Sequence, residues 1–171
     1  MSAKAEKDKI LQEIITNTYG NRVRLRSCGI CIVDNSILLV RHKGIGSLGY
    51  LWSPPGGGVE FGESVTDVLK REIQEECGLE AKVGKLLFVD EFIKPPLHAV
   101  EFFFEVTVEG TLEKGFDPEV SADYQMIEEV KFVTWEEIKA GPPQAFHRMF
   151  ERVTHLEGIF ELTHALNNST F

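Results

Sequence analysis

Three glutamates lie close together at positions 72, 75 and 76, in the segment REIQEECGL. Residues three and four apart lie on one side of a helix, so Glu72, Glu75 and Glu76 would project together. Their mutual repulsion would cost stability unless a cation neutralised it. Clustered carboxylate oxygens suit a hard divalent ion such as Mg²⁺ or Mn²⁺. The spacing predicts a metal site, and it leaves a solvated acidic helix end open as the alternative.

The segment around these glutamates predicts a short, capped helix. Ser64 suits the N-cap position, and Gly78 suits the left-handed position at which helices often end, so the helix is expected over residues 65–77. Successive helical residues are rotated by about 100°, which places Glu72 and Glu76 inside the apolar arc. An ordinary amphipathic helix carries its acids on the solvent face. The placement therefore favours the metal site.

A run of prolines and glycines at residues 54–58 precedes this helix and is predicted to form a loop that permits close backbone approach. Loop and helix together fit the pattern G-x5-E-x7-R-E-U-x-E-E-x-G-U, where U is aliphatic. Ile73 and Leu79 occupy the aliphatic positions, and the fixed positions are filled by Gly57, Glu63, Arg71, Glu72, Glu75, Glu76 and Gly78. This frame resembles the Nudix box of the Nudix hydrolase superfamily, which includes MutT-like and ADP-ribose pyrophosphatase-like proteins.

The resemblance implies a fold and a chemistry. The expected fold is an α/β/α sandwich around a mixed β-sheet. The expected reaction is metal-dependent hydrolysis of the pyrophosphate bond of a nucleoside diphosphate linked to another moiety. The motif positions imply that Mg²⁺ or Mn²⁺ is held by Glu72, Glu75, Glu76 and the Gly57 carbonyl. They further imply that Arg71 orients Glu75 and that Glu63 ties the loop to the helix.

The substrate class is less constrained than the reaction. Pro95 lies 16 residues after Leu79, as in the ADP-ribose type of the superfamily, which slightly favours ADP-ribose or a nucleotide sugar. Hydrolysis of an oxidised nucleoside triphosphate, as in MutT-like members, is the alternative activity. A non-catalytic nucleotide-binding regulator on the same scaffold is the alternative of another class. Arg41, at the end of a predicted strand, is a candidate phosphate contact or a surface charge.

The general base is the part of the mechanism that the motif does not identify. Many superfamily members use an acid from a loop before a late strand, and the corresponding position here falls near Met126. A base must reach the attacking water by a hydrogen bond. Glu128 is the first candidate, followed by Glu129 and Glu119. A glutamate of the box itself is the remaining alternative.

Composition narrows the possible classes of protein. The 171 residues suit one domain, and the net charge of −9 argues against a basic nucleic-acid-binding surface. No apolar run approaches the roughly 18 residues that span a bilayer, and three cysteines suit a reducing compartment, so a cytoplasmic protein with no membrane partner is expected. Cys28 and Cys31 lie on one predicted strand and are expected to be structural. Three histidines without metal-ligand spacing are expected to be structural or at the surface: His147, His155 and His164.

The chain is divided into an N-terminal helical extension at residues 1–21 and a Nudix-like domain at residues 22–171. The extension is expected to pack on the core or on a second subunit, so a homodimer is possible. In the domain, strands are predicted over 22–33, 37–41, 82–93, 98–108 and 130–133, with a C-terminal helix over 144–153.

Overall fold

A computed structural model describes residues 3–116 and 124–164 of the chain. Three α-helices are present among them: α1 (Ala3–Tyr19), α2 (Val65–Cys77) and α3 (Trp135–Ala140). Eight strands are present: β1 (Val23–Ile30), β2 (Ile32–Val33), β3 (Ser36–Lys43), β4 (Tyr50–Ser53), β5 (Gly56–Gly58), β6 (Glu80–Lys94), β7 (Leu97–Glu109) and β8 (Ile127–Thr134).

The strands form two four-stranded sheets. The first has the order β5-β1-β7-β6; β1 and β7 are parallel, and the other pairs are antiparallel, so the sheet is mixed. In the second, β3 pairs antiparallel with β2 and β4, and β8 also pairs with β3. The turn between β2 and β3 has positive φ at Asp34 and Asn35, which fits a tight hairpin.

Helices and turns cover the sheets on both sides, because alternate strand residues point to opposite faces. On one side, Leu38 and Val40 of β3 pack with Leu69 and Ile73 of α2. On the other side, Ile37 and Leu39 of the same strand pack with Ile138 of α3 and with residues of the C-terminal segment. The predicted layered α/β fold around a mixed sheet is therefore confirmed. Cys28 and Cys31 are free thiols buried in these two separate cores, as expected of structural cysteines.

The helix α2 begins and ends as its sequence predicts. The Ser64 hydroxyl accepts a hydrogen bond from the Asp67 amide, and Gly78 ends the helix with a φ of 70°. Because these two residues fix both ends, the positions of the glutamates along the helix are also fixed.

Three predicted elements differ from the structure. The single strand predicted over 22–33 is two strands, β1 and β2, which belong to different sheets. Gly56–Gly58 is not only a loop: it is the edge strand β5, paired with β1. The C-terminal helix predicted over 144–153 is instead a series of short 3₁₀ helices at Pro143–Ala145, Arg148–Arg152 and Leu156–Glu161. Extended residues between these turns still bring their apolar side chains into one core, which produces a helix-like spacing without an α-helix.

The N-terminal helix packs on its own chain. Leu11 and Ile15 of α1 are buried against Met126. The Gln12 side chain donates a hydrogen bond to the Gly44 carbonyl, and just after the helix the Asn21 amide donates to the Pro96 carbonyl at 2.8 Å. Of the two expected locations for the extension, the structure shows packing on the core. No helix in the described ranges is long and apolar enough to cross a membrane.

Candidate active site

The strand β5 and the helix α2 approach each other so closely that only glycine fits between them. A Cβ atom on Gly57 would lie 2.2 Å from Cδ of Glu72, well inside van der Waals contact. Gly56, with a φ of 151°, is similarly pressed against the backbone of Ser27. The glycine run therefore places backbone directly beside the first carboxylate of the box.

Arg71 is the cation of the box. Its Nη1 lies 2.9 Å from Glu72 Oε1 and 3.0 Å from Glu75 Oε2, and its Nη2 lies 3.8 Å from Glu63 Oε1. Glu63 also accepts a hydrogen bond from the Glu60 amide at 3.0 Å, which closes the loop before the helix. Arg71 thus contacts two glutamates of the box, and Glu63 contacts both the loop and the helix.

Glu76 is buried, with 6% of its surface exposed. Its Oε2 accepts a hydrogen bond from the Gly56 amide at 3.0 Å, and its Oε1 lies 3.1 Å from Nε2 of His42. A buried carboxylate requires such partners. Their directions hold both oxygens of Glu76 in one orientation between β3 and β5.

The box carries more negative charge than its neighbours compensate. Burial, followed by the charge of Glu76, raises the pKa of Glu72 from 4.5 to about 7, although Arg71 acts in the opposite direction. Ionising Glu72 at neutral pH therefore costs free energy in the metal-free protein. A divalent cation bound between these carboxylates would remove that cost, so the donor set fits Mg²⁺ or Mn²⁺.

A second group of acids lies on the β6–β7 side of the molecule. Asp90, Glu101 and His147 are buried, and one ligand atom from each lies within 4.8 Å of the others, so their spacing could also hold a metal ion. The Met149 amide donates to His147 Nδ1 at 3.2 Å, so the ring proton is on Nε2, which lies 3.1 Å from Glu101 Oε2. His147 is therefore buried, and both of its ring nitrogens have partners.

Arginines neutralise this second group. Arg148 contacts Asp90 Oδ2 at 2.9 Å through Nη2, and Arg152 lies 3.9 Å from the other carboxylate oxygen. Arg26 Nε lies 3.4 Å from Glu101 Oε1. Burial alone would raise the pKa of Glu101, but the hydrogen bond from His147 and the neighbouring cations lower it to about 2. Two carboxylates here face three guanidinium groups.

Members of both groups line the same cleft, whose volume is about 590 Å³, whereas Asp90 lies buried behind its wall. Its walls include the predicted site residues Gly57, Arg71, Glu72, Glu75 and Glu76. They also include residues that the sequence analysis did not assign to a site: His42, Glu101, His147 and Arg148. Glu101 could have been noticed as an acid inside the apolar strand sequence HAVEFFFEV, whereas nothing in the sequence distinguishes His42.

The predicted substrate contact Arg41 and the first candidate base Glu128 do not line this cleft. Arg41 Nε lies 3.4 Å from Glu128 Oε2, and the Arg41 guanidinium stacks 4.2 Å from the centre of the Tyr50 ring. The structure therefore brings Arg41 and Glu128 to each other and not to the box. Met126, where the family acid would align, is buried against α1. Glu119 lies outside the described residues.

Comparison with known proteins agrees with this geometry. An ADP-ribose pyrophosphatase of Methanocaldococcus jannaschii is 38% identical over 98 residues, which are 56% of this chain and 57% of the relative. An asymmetrical bis(5'-nucleosyl)-tetraphosphatase of Sus scrofa is 39% identical over 82 residues, 41% of this chain and 52% of that protein. The chain thus spans about half the length of these relatives.

A solved structure shares the fold over most of its length. The MutT NUDIX hydrolase from Burkholderia pseudomallei superposes with a TM-score of 0.61 at 23% identity, covering 82% of this chain and 97% of that one. The sequence model of the NUDIX domain matches residues 23–153, well over half of the chain. With the box, its helix and the mixed sheet in place, the chain belongs to the NUDIX family.

Proposed function

We propose that this protein hydrolyses the pyrophosphate bond of a nucleoside diphosphate linked to another moiety, using Mg²⁺ or Mn²⁺. The observation that supports the proposal is the uncompensated carboxylate group at the cleft wall, where one arginine faces Glu63, Glu72 and Glu75 together. An unneutralised acid group favours cation binding. A cation there would attract a phosphate chain into a molecule whose net charge is −9.

Each box residue has a distinct part in this proposal. Glu72, Glu75 and Glu76, with the Gly57 carbonyl, would hold the cation. When bound, the ion would polarise the phosphoryl oxygens and stabilise charge on the leaving group. Arg71 keeps Glu75 in position, and Gly56 and His42 keep Glu76 in position. Orienting contacts of this kind preserve the ligand geometry.

The proton acceptor is proposed to be a box glutamate, because these carboxylates line the cleft. Glu128, the first candidate from the sequence, is paired with Arg41 away from it. A base must come within hydrogen-bond reach of the water that it activates. Moving Glu128 there would require breaking its ion pair with Arg41.

The proposed substrate is of the ADP-ribose or nucleotide-sugar type. Support comes from the relative named ADP-ribose pyrophosphatase and from Pro95 in the turn between β6 and β7, whose flanking residues line the cleft. A cleft of about 590 Å³ lies within the usual range of ligand pockets, about 300–1,000 Å³. A MutT-like triphosphate pyrophosphohydrolase is the alternative. A cytoplasmic location and a homodimer stay predictions.

The test is a substrate panel with purified protein, comparing ADP-ribose, a nucleotide sugar, a nucleoside triphosphate and its oxidised form. Mg²⁺-dependent release of AMP from ADP-ribose, or of a nucleoside monophosphate from the nucleotide sugar, abolished by chelation, is expected. Faster release of pyrophosphate from the triphosphates would replace the ADP-ribose assignment with the MutT-like one. Binding of ADP-ribose in calorimetry without turnover of any panel member would instead identify a non-catalytic regulator.

A further inference from the structure

A row of three arginines faces the cleft beside the box. Arg22 precedes β1, Arg24 and Arg26 lie within it, and all three line the cleft. Alternate residues of a strand share one face, which explains why the three side chains point the same way. In a chain with 27 acidic and 18 basic residues, such a row is a local reversal of charge.

The outer two arginines have partners that account for their positions. Arg22 donates to the Thr18 carbonyl at the end of α1. Arg26 donates to the Gly56 carbonyl at 3.1 Å and lies beside Glu101. Arg24 differs from both, because no carboxylate among the side chains that the structure describes forms an ion pair with it.

Arg24 is nevertheless held in a defined position. Its guanidinium carbon lies 4.1 Å from the centre of the Tyr19 ring, a cation–π geometry. Burial, followed by the charge of Arg26, lowers its pKa from 12.5 to about 10. A partly buried cation without an acidic partner is the environment in which an anionic ligand is favoured.

The position of Arg24 relative to the box defines what such an anion would be. Its Nη2 lies 3.2 Å from the place that a Cβ of Gly58 would occupy, and Gly58 adjoins Gly57, which contacts Glu72. The Arg24 guanidinium is therefore separated from the proposed metal site only by Gly57 and Gly58 of β5. A phosphate chain held at the metal could continue to Arg24.

The helix α1 completes this corner of the cleft. Gln12, Ile15, Thr18 and Tyr19 line the cleft together with the arginine row. The helix lies before residue 23, where the match to the NUDIX domain begins. It is fixed on the same chain through Gly44 on one side and Pro96 on the other. Contacts made by α1 thus come from outside the matched NUDIX domain.

We infer that Arg24, held by the Tyr19 ring of α1, forms a phosphate-binding subsite next to the box. Its ligand is a phosphate group beyond the two joined by the scissile bond. The inference rests on the proposed function and refines it: the moiety linked to the nucleoside diphosphate carries phosphate. That group is either the continuation of an in-line phosphate chain or a phosphate ester on a sugar.

The first test measures binding without turnover, with Ca²⁺ in place of Mg²⁺ and with inorganic probes. Tripolyphosphate is expected to bind the wild type at least tenfold more tightly than pyrophosphate, because the third phosphate reaches Arg24. Arg24→Met should remove about 10–100-fold of tripolyphosphate affinity and less than threefold of pyrophosphate affinity. Arg24→Lys should retain part of the preference. Equal affinity of the wild type for both probes would overturn the subsite.

The second test measures turnover of ADP-ribose, ADP-ribose 1″-phosphate and diadenosine tetraphosphate. The wild type should favour one of the two substrates with an additional phosphate, and the favoured one identifies the source of that phosphate. Arg24→Met should lower kcat/KM for it about 10–100-fold, mainly through KM, with less than threefold loss on ADP-ribose. Lys82→Met, an exposed charge on β6 away from the cleft, is the matched control and should change none of these values.

The outcomes separate this inference from the proposed function. An equal loss of kcat/KM on all three substrates, together with a lower melting temperature, would show that Arg24 only anchors α1 and would overturn the subsite. If no substrate is hydrolysed but tripolyphosphate binding still depends on Arg24, the subsite stands and the proposed function fails. Tyr19→Leu should also lower the affinity for tripolyphosphate, but by a smaller factor than Arg24→Met. An unchanged affinity would contradict the inference that Tyr19 of α1 holds Arg24 in position.

Discussion

Two groups of acids with opposite charge balance lie at the walls of the cleft, and each contributes lining residues to it. At the box, one guanidinium contacts three carboxylates, and the pKa of Glu72 is raised to about 7. At the other wall, Asp90 and Glu101 contact three guanidinium groups and His147, and the pKa of Glu101 is lowered to about 2. Both groups are formed by acids close together, yet only the first retains an unbalanced negative charge.

The difference shows that the number of clustered acids is a poor guide to a metal site. A better guide is whether neighbouring cations neutralise the charges of those acids. Asp90, Glu101 and His147 satisfy a simple distance criterion for metal ligands. Binding a dication there would bring it beside Arg26 and Arg148, whose charges oppose it. The compensated group therefore suits a structural part, and the uncompensated group suits the cation.

The largest effect is expected for Glu76→Gln in the uncompensated group. The substitution removes a proposed ligand charge while the amide can still accept from the Gly56 amide and contact His42. Turnover of the best panel substrate should fall about 1,000-fold, about 4 kcal/mol of transition-state stabilisation. The measurement is initial-rate kinetics at saturating Mg²⁺, with circular dichroism to confirm folding.

Glu80→Gln is the matched control for this change, because Glu80 is exposed at the start of β6 and does not line the cleft. It should leave turnover unchanged. Turnover of the Glu76→Gln protein within threefold of the wild type would contradict the assignment of the box as the metal site.

A substitution in the compensated group is expected to lower the stability of the protein instead of its turnover. Asp90 has 2% of its surface exposed and is the partner of both Arg148 and Arg152. Asp90→Asn leaves these arginines without their counter-charge, so the free energy of unfolding should fall by about 3 kcal/mol. Urea unfolding with and without Mg²⁺ measures it. A loss that appears only in the presence of Mg²⁺ would instead indicate a metal site at this wall.

The uncompensated group could be predicted from the sequence because it is local. Ser64 and Gly78 fix the ends of α2, and the spacing of three glutamates within one helix then fixes their side. The strands around β6 and β7 could be predicted for a related reason, since their composition and turn residues act over short distances.

The compensated group could not be predicted because it is assembled from distant segments. Asp90, Glu101 and Arg148 come from β6, β7 and a 3₁₀ helix, and no local pattern relates them. The sequence predicts an α-helix at the C-terminal turns because apolar side chains that meet one core can follow a helical spacing. The strand β5 was missed because three glycines have low strand propensity, and its pairing with β1 overrides this preference.

Removing charge from the uncompensated group should stabilise the metal-free protein. The pKa of Glu72 is about 7 in the folded state against 4.5 ordinarily, so its ionisation disfavours folding. Below pH 4.5 the Glu72 carboxyl is mostly protonated in both the folded and the unfolded state, so it does not reduce the free energy of unfolding. The reduction grows between pH 4.5 and 7 and is constant at higher pH. Glu72→Gln should therefore raise the free energy of unfolding by about 3 kcal/mol at pH 8 and by almost nothing at pH 4.

Chemical unfolding in chelator at the two pH values measures this difference. Added Mg²⁺ should stabilise the wild type more than the Glu72→Gln protein, because the ion binds only the assembled carboxylates. Glu80→Gln serves again as the exposed control and should show no pH-dependent gain. A Glu72→Gln protein that is less stable than the wild type at pH 8 would show that the contact of Glu72 with Arg71 outweighs the repulsion.

The smallest effect is expected at Glu128, which belongs to neither group. Its carboxylate lies 3.4 Å from Arg41, and neither residue lines the cleft. Glu128→Gln should change turnover less than threefold and leave the pH–rate profile unshifted, because the proposed proton acceptor is in the box. Glu129→Gln and Glu119→Gln test the two other candidates from the sequence, and Glu80→Gln, an exposed position away from the cleft, is the control. A loss above tenfold for Glu128→Gln, about 1.4 kcal/mol, together with loss of the acidic limb of the profile, would mean that Glu128 leaves Arg41 and reaches the cleft when substrate binds. In that case the base belongs to a mobile acid outside both groups, and the charge balance of the cleft identifies the metal site but not the base.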